Sequence, residues 1–157
     1  MTNQWLLAAL IGLGSVSSAS VSAEDKDIAK SEVPQNVLTA FQKAYPNATN
    51  VKYEETETDG KRFYEIEFKD KGNEFEALYQ PDGTLLEIEE EIAMTALPQP
   101  VMQSVKKAHP NGIIQEVERI MKPGGYIVGY EVEIRDGGQE LELTLGSDGR
   151  VLKADQG

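Results

Sequence analysis

The strongest constraint on this chain is that most of it is written twice. Val33-Pro34-Gln35-Asn36-Val37 recurs as Leu97-Pro98-Gln99-Pro100-Val101, and Ala44-Tyr45-Pro46-Asn47 recurs as Ala108-His109-Pro110-Asn111, both at a spacing of 64 residues. Tyr64-Glu65-Ile66-Glu67-Phe68 returns as Tyr130-Glu131-Val132-Glu133-Ile134, and Asp82-Gly83 as Asp148-Gly149, now 66 residues apart. Matched landmarks in one order, with a two-residue insertion between them, are the signature of an internal duplication. Whatever one copy folds into, the other must fold into as well.

Each copy opens with a helix. Pro34 and Pro98 stand where a helix starts without losing a needed backbone hydrogen bond. Val37, Leu38, Phe41, Ala44 and Tyr45 then fall on one face, matched by Val101, Met102, Val105, Ala108 and His109. Pro46 and Pro110 end the helices, because the residue before a proline is pushed out of helical geometry. The remainder alternates as half-buried antiparallel strands do. Tyr64, Ile66 and Phe68 oppose Glu65 and Glu67, and Phe75, Ala77 and Tyr79 oppose Glu74 and Glu76. In the second copy Val128, Tyr130, Val132 and Ile134 oppose Gly129, Glu131 and Glu133, while Leu141, Leu143 and Leu145 oppose Glu140, Glu142 and Thr144. Asp82-Gly83, Asp136-Gly137 and Asp148-Gly149 are turn signals, since glycine accepts positive φ and aspartate bonds to its own turn.

The expected fold class is therefore α+β, with tandem α-β4 units, each a helix packed on an antiparallel four-stranded meander. Residues 33–92 form the first unit and 93–157 the second. A unit of about 60 residues is marginal alone, so the two must share a core or continue one sheet. The linker Ile92 to Pro100 carries Met94, Ala96 and Leu97 to seal that junction. Ahead of the units, 24–32 is polar and reads as a flexible leader. Residues 1–23 read as a secretory signal peptide. An apolar run from Trp5 to Leu13 is followed by a Ser/Ala-rich segment ending at Ala23, and the first charged residue is Glu24. The run is too short to cross a bilayer, which needs about 20 residues, so no membrane insertion of the mature chain is expected. Export of a soluble chain points to the periplasm.

Composition removes several kinds of chemistry. The chain has no cysteine, which excludes disulfides, thiolate catalysis and zinc–sulfur sites. Its 27 acidic against 15 basic residues give a net charge of -12, a field that repels nucleic acid and anionic lipid and attracts cationic proteins or divalent metals. The single histidine, His109, sits on the apolar helix edge where the first copy has Tyr45, and reads as a packing residue. A hydrolytic relay needs a nucleophile and an orienting acid beside it, and no spacing in the chain supplies them. The Glu87 to Glu91 charge run lacks the spaced pattern of a calcium loop, and Gly124-Gly125 lacks the Lys and Ser/Thr of a phosphate cradle. No catalyst and no cofactor are expected.

The glutamates opposite the apolar strand residues carry more information. Glu65, Glu67, Glu74, Glu76, Glu131, Glu133, Glu140 and Glu142 share one sheet face, where like charges across neighbouring strands cost a few tenths of a kcal/mol or more, roughly, per pair. A solvated face screens that cost, and a cationic partner or a calcium ion relieves it. Paired carboxylates also serve glycoside hydrolysis, but no aromatic sugar platform lies among these.

The motifs Val-Pro-x-x-Val, Ala-Tyr-Pro-Asn-Ala, Tyr-Glu-Ile-Glu-Phe and Phe-Glu-Ala-Leu-Tyr-x-Pro-Asp-Gly-Thr-Leu-Leu resemble the PepSY-like family, also described as beta-lactamase-inhibitor-like. The resemblance covers Val33 to Ile88 closely and Leu97 to Leu152 more loosely. It implies small exported bacterial proteins, often in tandem, whose units join into one curved open-faced sheet with helices on one side. Related PepSY domains are associated with peptidase propeptides, which implies a protein-binding or inhibitor-like module acting on a peptidase-like or other cationic partner. Glu65, Glu67, Glu74, Glu76, Glu131 and Glu133 are the expected charged contacts, with Tyr53 and Tyr126 as aromatic ones. The alternative is a calcium- or metal-binding exported protein that uses the same carboxylates.

Overall fold

The computed structural model describes residues 24–58 and 60–156. The signal-peptide reading of 1–23 lies outside the described residues. Nine strands run in chain order through one antiparallel open sheet. They are β1 (Glu24–Asp27), β2 (Thr49–Thr58), β3 (Lys61–Asp70), β4 (Asn73–Tyr79), β5 (Leu85–Glu91), β6 (Ile113–Lys122), β7 (Tyr126–Asp136), β8 (Gln139–Leu145) and β9 (Val151–Gln156). Helix α1 (Gln35–Ala44) stands between β1 and β2, and α2 (Gln99–Ala108) between β5 and β6.

Both helices begin after the expected prolines and stop at Tyr45 and His109, one residue before Pro46 and Pro110. The amphipathic spacing lays both on the same sheet face. Val37, Leu38 and Phe41 pack on Tyr64, Ile66, Phe68, Ala77 and Tyr79. Val101 and Val105 pack on Val117, Tyr130, Val132, Ile134, Leu143 and Leu145. There are thus two cores on one continuous sheet. β5 and β6 join them through four registered pairs, Ile88 with Met121 through Glu91 with Glu118. Of the linker residues expected to seal this junction, Leu97 is buried in the second core, whereas Met94 and Ala96 are exposed; Ile92, at the start of the linker, packs against that core.

The Asp-Gly turns after β4 and β8 seat each helix on the sheet. Gly83 has φ +88°, and a Cβ there would lie 2.7 Å from the Asn36 carbonyl oxygen at the start of α1. Gly149 has φ +82°, and its Cβ would lie 2.4 Å from the Pro100 carbonyl oxygen at the start of α2. Glycine answers both demands at once, a left-handed backbone and close approach of a helix turn. Asp82 and Asp148 brace these turns by accepting from the amides of Thr84 and Arg150, at 2.9 and 3.0 Å.

Two expectations need correction. The segment 24–32 is not a flexible leader. Residues Glu24–Asp27 pair with Asp27 opposite Glu54 and Lys26 opposite Glu55, a short 3-10 turn follows at Lys30–Glu32, and Ile28 packs on the first core. Its polarity concealed this, because an edge strand needs backbone pairing more than apolar side chains, and Ile28 supplies the anchor. Val128 does not join the inward series of β7. Ile120 faces Gly129 and Met121 faces Ile127, so Val128 is the extra residue of a bulge and is exposed.

Candidate functional site

The face away from the helices carries the glutamates, and register decides which of them meet. Glu67 stands opposite Glu76, Glu76 opposite Glu89, Glu91 opposite Glu118, Glu118 opposite Glu131, and Glu133 opposite both Glu116 and Glu142. Neighbouring strands lie about 4.8 Å apart, so long side chains from adjacent strands cover one another. The centre of the face is consequently dry. Glu118 and Glu131 are each 4% exposed.

Three carboxyl pairs occupy that centre, Glu65 with Glu76, Glu89 with Glu118, and Glu131 with Glu142, each joined by a side-chain hydrogen bond. A bond between two carboxyl groups requires a proton on one of them. Burial, then the neighbouring carboxylates, holds Glu76, Glu118 and Glu131 far above the usual carboxylate range. Burial and the charges of Glu87 and Glu142 push Glu89 up to about 8. Burial pushes Glu142 up to about 7 against the pull of Lys153. One oxygen from each of Glu76, Glu89 and Glu118 lies within 4.8 Å of the other two.

The lysines near this cluster are engaged at its margin. Lys52 pairs with Glu67, Lys122 with Glu87 at 2.6 Å, and Lys153 with Asp155 at 2.9 Å. The expected contact residues therefore divide. Glu65, Glu76 and Glu131 belong to the central cluster. Glu67 and Glu133 border it, and Glu74 stands exposed at the margin beside Lys69. Tyr126 is 72% exposed at the end of the β6–β7 hairpin. Tyr53 lies on the other face, opposite Ile66 and packed on the first core, so it cannot share a surface with the glutamates. Glu89 and Glu118 escaped the sequence reading. Glu87 to Glu91 reads along the chain as a charge run, although Glu87, Glu89 and Glu91, like Glu116 and Glu118, keep the two-residue period of a strand face.

His109 occupies the corner where the first copy has an aromatic cluster. Tyr45 there lies 4.4 Å, ring centre to ring centre, from Phe68, with Phe41 and Phe75 alongside. In the second copy Val105, Ile134 and Leu141 are smaller, and His109 Nδ1 instead meets Asp136 Oδ2 at 3.0 Å. The side chain is partly buried and paired. Beside it runs an open groove of about 540 Å³ toward β9, lined by Leu141, Leu143 and Ala154.

Two helices on one face of an open antiparallel sheet, with the opposite face left to carboxylates, define a scaffold that presents a sheet surface rather than a catalytic cleft. The family described as "Putative beta-lactamase-inhibitor-like, PepSY-like" matches residues 19–87 and again 73–153, and the chain belongs to it. Among solved structures, one from Bacteroides eggerthii, described as a "putative periplasmic" protein, is 17% identical with a TM-score of 0.64, covering 79% of this chain and 88% of that one. A DUF2874 family protein from Bacteroides uniformis is 18% identical with a TM-score of 0.62, covering 78% and 88%. A BLIP-like protein from Bacteroides fragilis is 24% identical with a TM-score of 0.57, covering 78% and 86%. These likenesses establish the fold. Comparison with curated proteins gives no match.

Proposed function

We propose that this chain is an exported, non-catalytic, inhibitor-like module of the periplasm that captures another protein on the rim of its acidic sheet face. The observation that carries the reading is the bare face itself, which has charged glutamates at its margin and Tyr126 standing 72% exposed at the hairpin end. Tyrosine in such a position brings a large rigid contact area together with a hydroxyl that finds a partner. The names of the Bacteroides relatives, BLIP-like in one case and periplasmic in another, agree with this role. The tandem α-β4 division gives the face two related halves with different rims, and a peptidase is the partner class that the PepSY-like relationship favours.

The buried centre changes how the reading is tested. Charge reversal at Glu65 would disturb the carboxyl cluster, so the informative variants lie at the margin. Glu74→Lys and Glu133→Lys, with Tyr126→Ala, should lose a partner captured by the wild-type chain from periplasmic extract and identified by mass spectrometry. Undiminished capture by all three removes this face as the docking surface.

A further inference from the structure

We infer that β9 and the groove beside it form an acceptor site for an extended, basic segment of another protein, which adds a further strand to the sheet and sets an aromatic side chain in the groove. The duplication shows how such an edge is used. Register makes β9 the counterpart of β5, since Ala77 faces Ile88 in the first copy and Leu143 faces Ala154 in the second. The outer edge of β5 is taken by β6, with Met121 opposite Ile88. Among the described residues β9 pairs with β8 alone, so its outer edge is open. The sheet's other edge strand, β1, consists of charged residues only, a composition that discourages further pairing. β9 instead exposes Val151, Leu152 and Ala154.

The first copy also shows what fits the groove. At the equivalent corner the rings of Tyr45, Phe68 and Phe75 lie together, with centres 4.4 Å apart for Tyr45 and Phe68 and 5.4 Å for Phe68 and Phe75. Their counterparts are His109, Ile134 and Leu141, and Ala154 replaces Ile88. Each exchange removes side-chain volume, and the groove of about 540 Å³ over Leu141, Leu143 and Ala154 is the space left. An aromatic side chain on a strand added to β9 would stand where the first copy's own rings stand. In strand addition the backbone supplies affinity, and pockets for alternate side chains supply specificity. Charge selects the segment. β6 meets acidic β5 with Arg119 on Glu90 and Lys122 on Glu87. At β9, Asp136 stands at the mouth of the groove beside His109, and on the sheet's other face Asp155 lies opposite Glu142 and pairs with Lys153. These acids and the chain's net charge of -12 favour lysine or arginine on alternate residues of an incoming strand. The site lies at the far end of β7 from Tyr126 and does not depend on the capture proposed at the acidic rim.

The test titrates the chain into a labelled peptide, Thr-Lys-Val-Lys-Phe-Lys-Val-Lys-Thr, whose lysines share one strand face and whose phenylalanine stands at the centre of the other. Comparison peptides replace the phenylalanine by alanine, or both valines by proline, which keeps the charge and the ring but removes ladder donors. Fluorescence anisotropy should show saturable binding of the first peptide, a loss of about tenfold or more for the alanine peptide, and a larger loss for the proline peptide. Amide exchange should slow across Val151–Gln156 when the first peptide is bound. Leu141→Phe with His109→Tyr restores the first copy's rings and should abolish the preference for phenylalanine over alanine. If that pair does not fold, Ala154→Ile at an exposed position makes the same comparison. Tyr126→Ala should leave all the affinities unchanged. Equal binding of the peptides would reduce the effect to general attraction by the acidic chain, and unchanged exchange in β9 would exclude strand addition. Protection of β9 amides in the peptide-free chain that rises with protein concentration would assign the edge to a second copy. Each of these results overturns the site.

Discussion

Glu118 on β6 and Glu131 on β7 stand directly opposite each other, each 4% exposed. Two carboxyl groups so placed cannot both ionise cheaply. Their neighbours, Glu89 on one side and Glu142 on the other, accept a hydrogen bond from each and share the remaining charge. The acidic face is thus a proton-holding cluster at its centre and an ordinary charged surface only at its rim.

The first prediction concerns charge at that centre. Glu131→Gln keeps the shape of the side chain and removes an ionisable group that burial disfavours. At pH 8 it should stabilise the chain, because burial and the neighbouring carboxylates disfavour in the folded state a charge that the unfolded chain carries freely. Denaturant midpoints compare the variant with wild type. A destabilised variant would show that Glu131 is held by favourable contacts instead.

A second prediction follows from the sign of the same displacements. Glu89 at about 8 and Glu142 at about 7 bind protons more tightly folded than unfolded. Their contribution is fully present below the unfolded value near 4.5 and is lost as pH rises through 7 to 8. Facing them are Glu65, Glu76, Glu87, Glu91, Glu116, Glu118, Glu131 and Glu133 with Lys122, Lys153 and Asp155, so acidic groups dominate. Melting temperature should therefore fall between pH 5 and pH 8, roughly the interval between the two states' values. A flat or rising profile would contradict the burial described here.

Gly83 and Gly149 test the seating of the helices. Alanine at Gly149 meets both positive φ and a carbonyl oxygen 2.4 Å from its Cβ. Gly149→Ala should cost about 1–3 kcal/mol or more, and Gly83→Ala should act alike on its own helix. Gly60, also at positive φ but with nothing within 4 Å of a Cβ, is the control for strain alone. Thermal melts of the three variants separate strain from crowding.

The two cores make a further comparison possible. Phe68 is 2% exposed and packs on Phe41, Tyr45 and Phe75. Phe68→Ala should cost about 3–5 kcal/mol. Because the two cores are separate clusters of buried residues, amide exchange should rise chiefly in β2–β5, with β7 and β8 less affected. Equal loss of protection in both halves would mean that the sheet unfolds as one unit.

Much of the fold was legible because its causes are local. The prolines bounding α1 and α2, the apolar helix faces and the alternation through Tyr64-Ile66-Phe68 and Leu141-Leu143-Leu145 each follow from one segment's own periodicity. The miss at 24–32 is of another kind, since a strand of Glu, Asp and Lys exists only because β2 offers an unpaired edge. Val128 was misplaced because a bulge is a relation between two strands. The paired Tyr45 and His109 positions were found by alignment of the copies, but the Asp136 partner of His109 lies 27 residues away and needed the folded sheet.

What the sequence by itself determined was the duplication, the helix-and-strand content and the side of the sheet on which each glutamate falls. A period of two settles a residue's face and nothing about its neighbour on the next strand. Only the tertiary structure decided that Glu76, Glu89 and Glu118 converge from three strands, that Glu131 closes against them, and that Tyr53 turns away. Those outcomes depend on register, which the shifts at Leu78/Tyr79, Ile114/Glu116 and Ile120/Met121 alter. Moving a strand by a single residue carries its side chains to the opposite face, so the same glutamates would make either a dry cluster or a solvated surface.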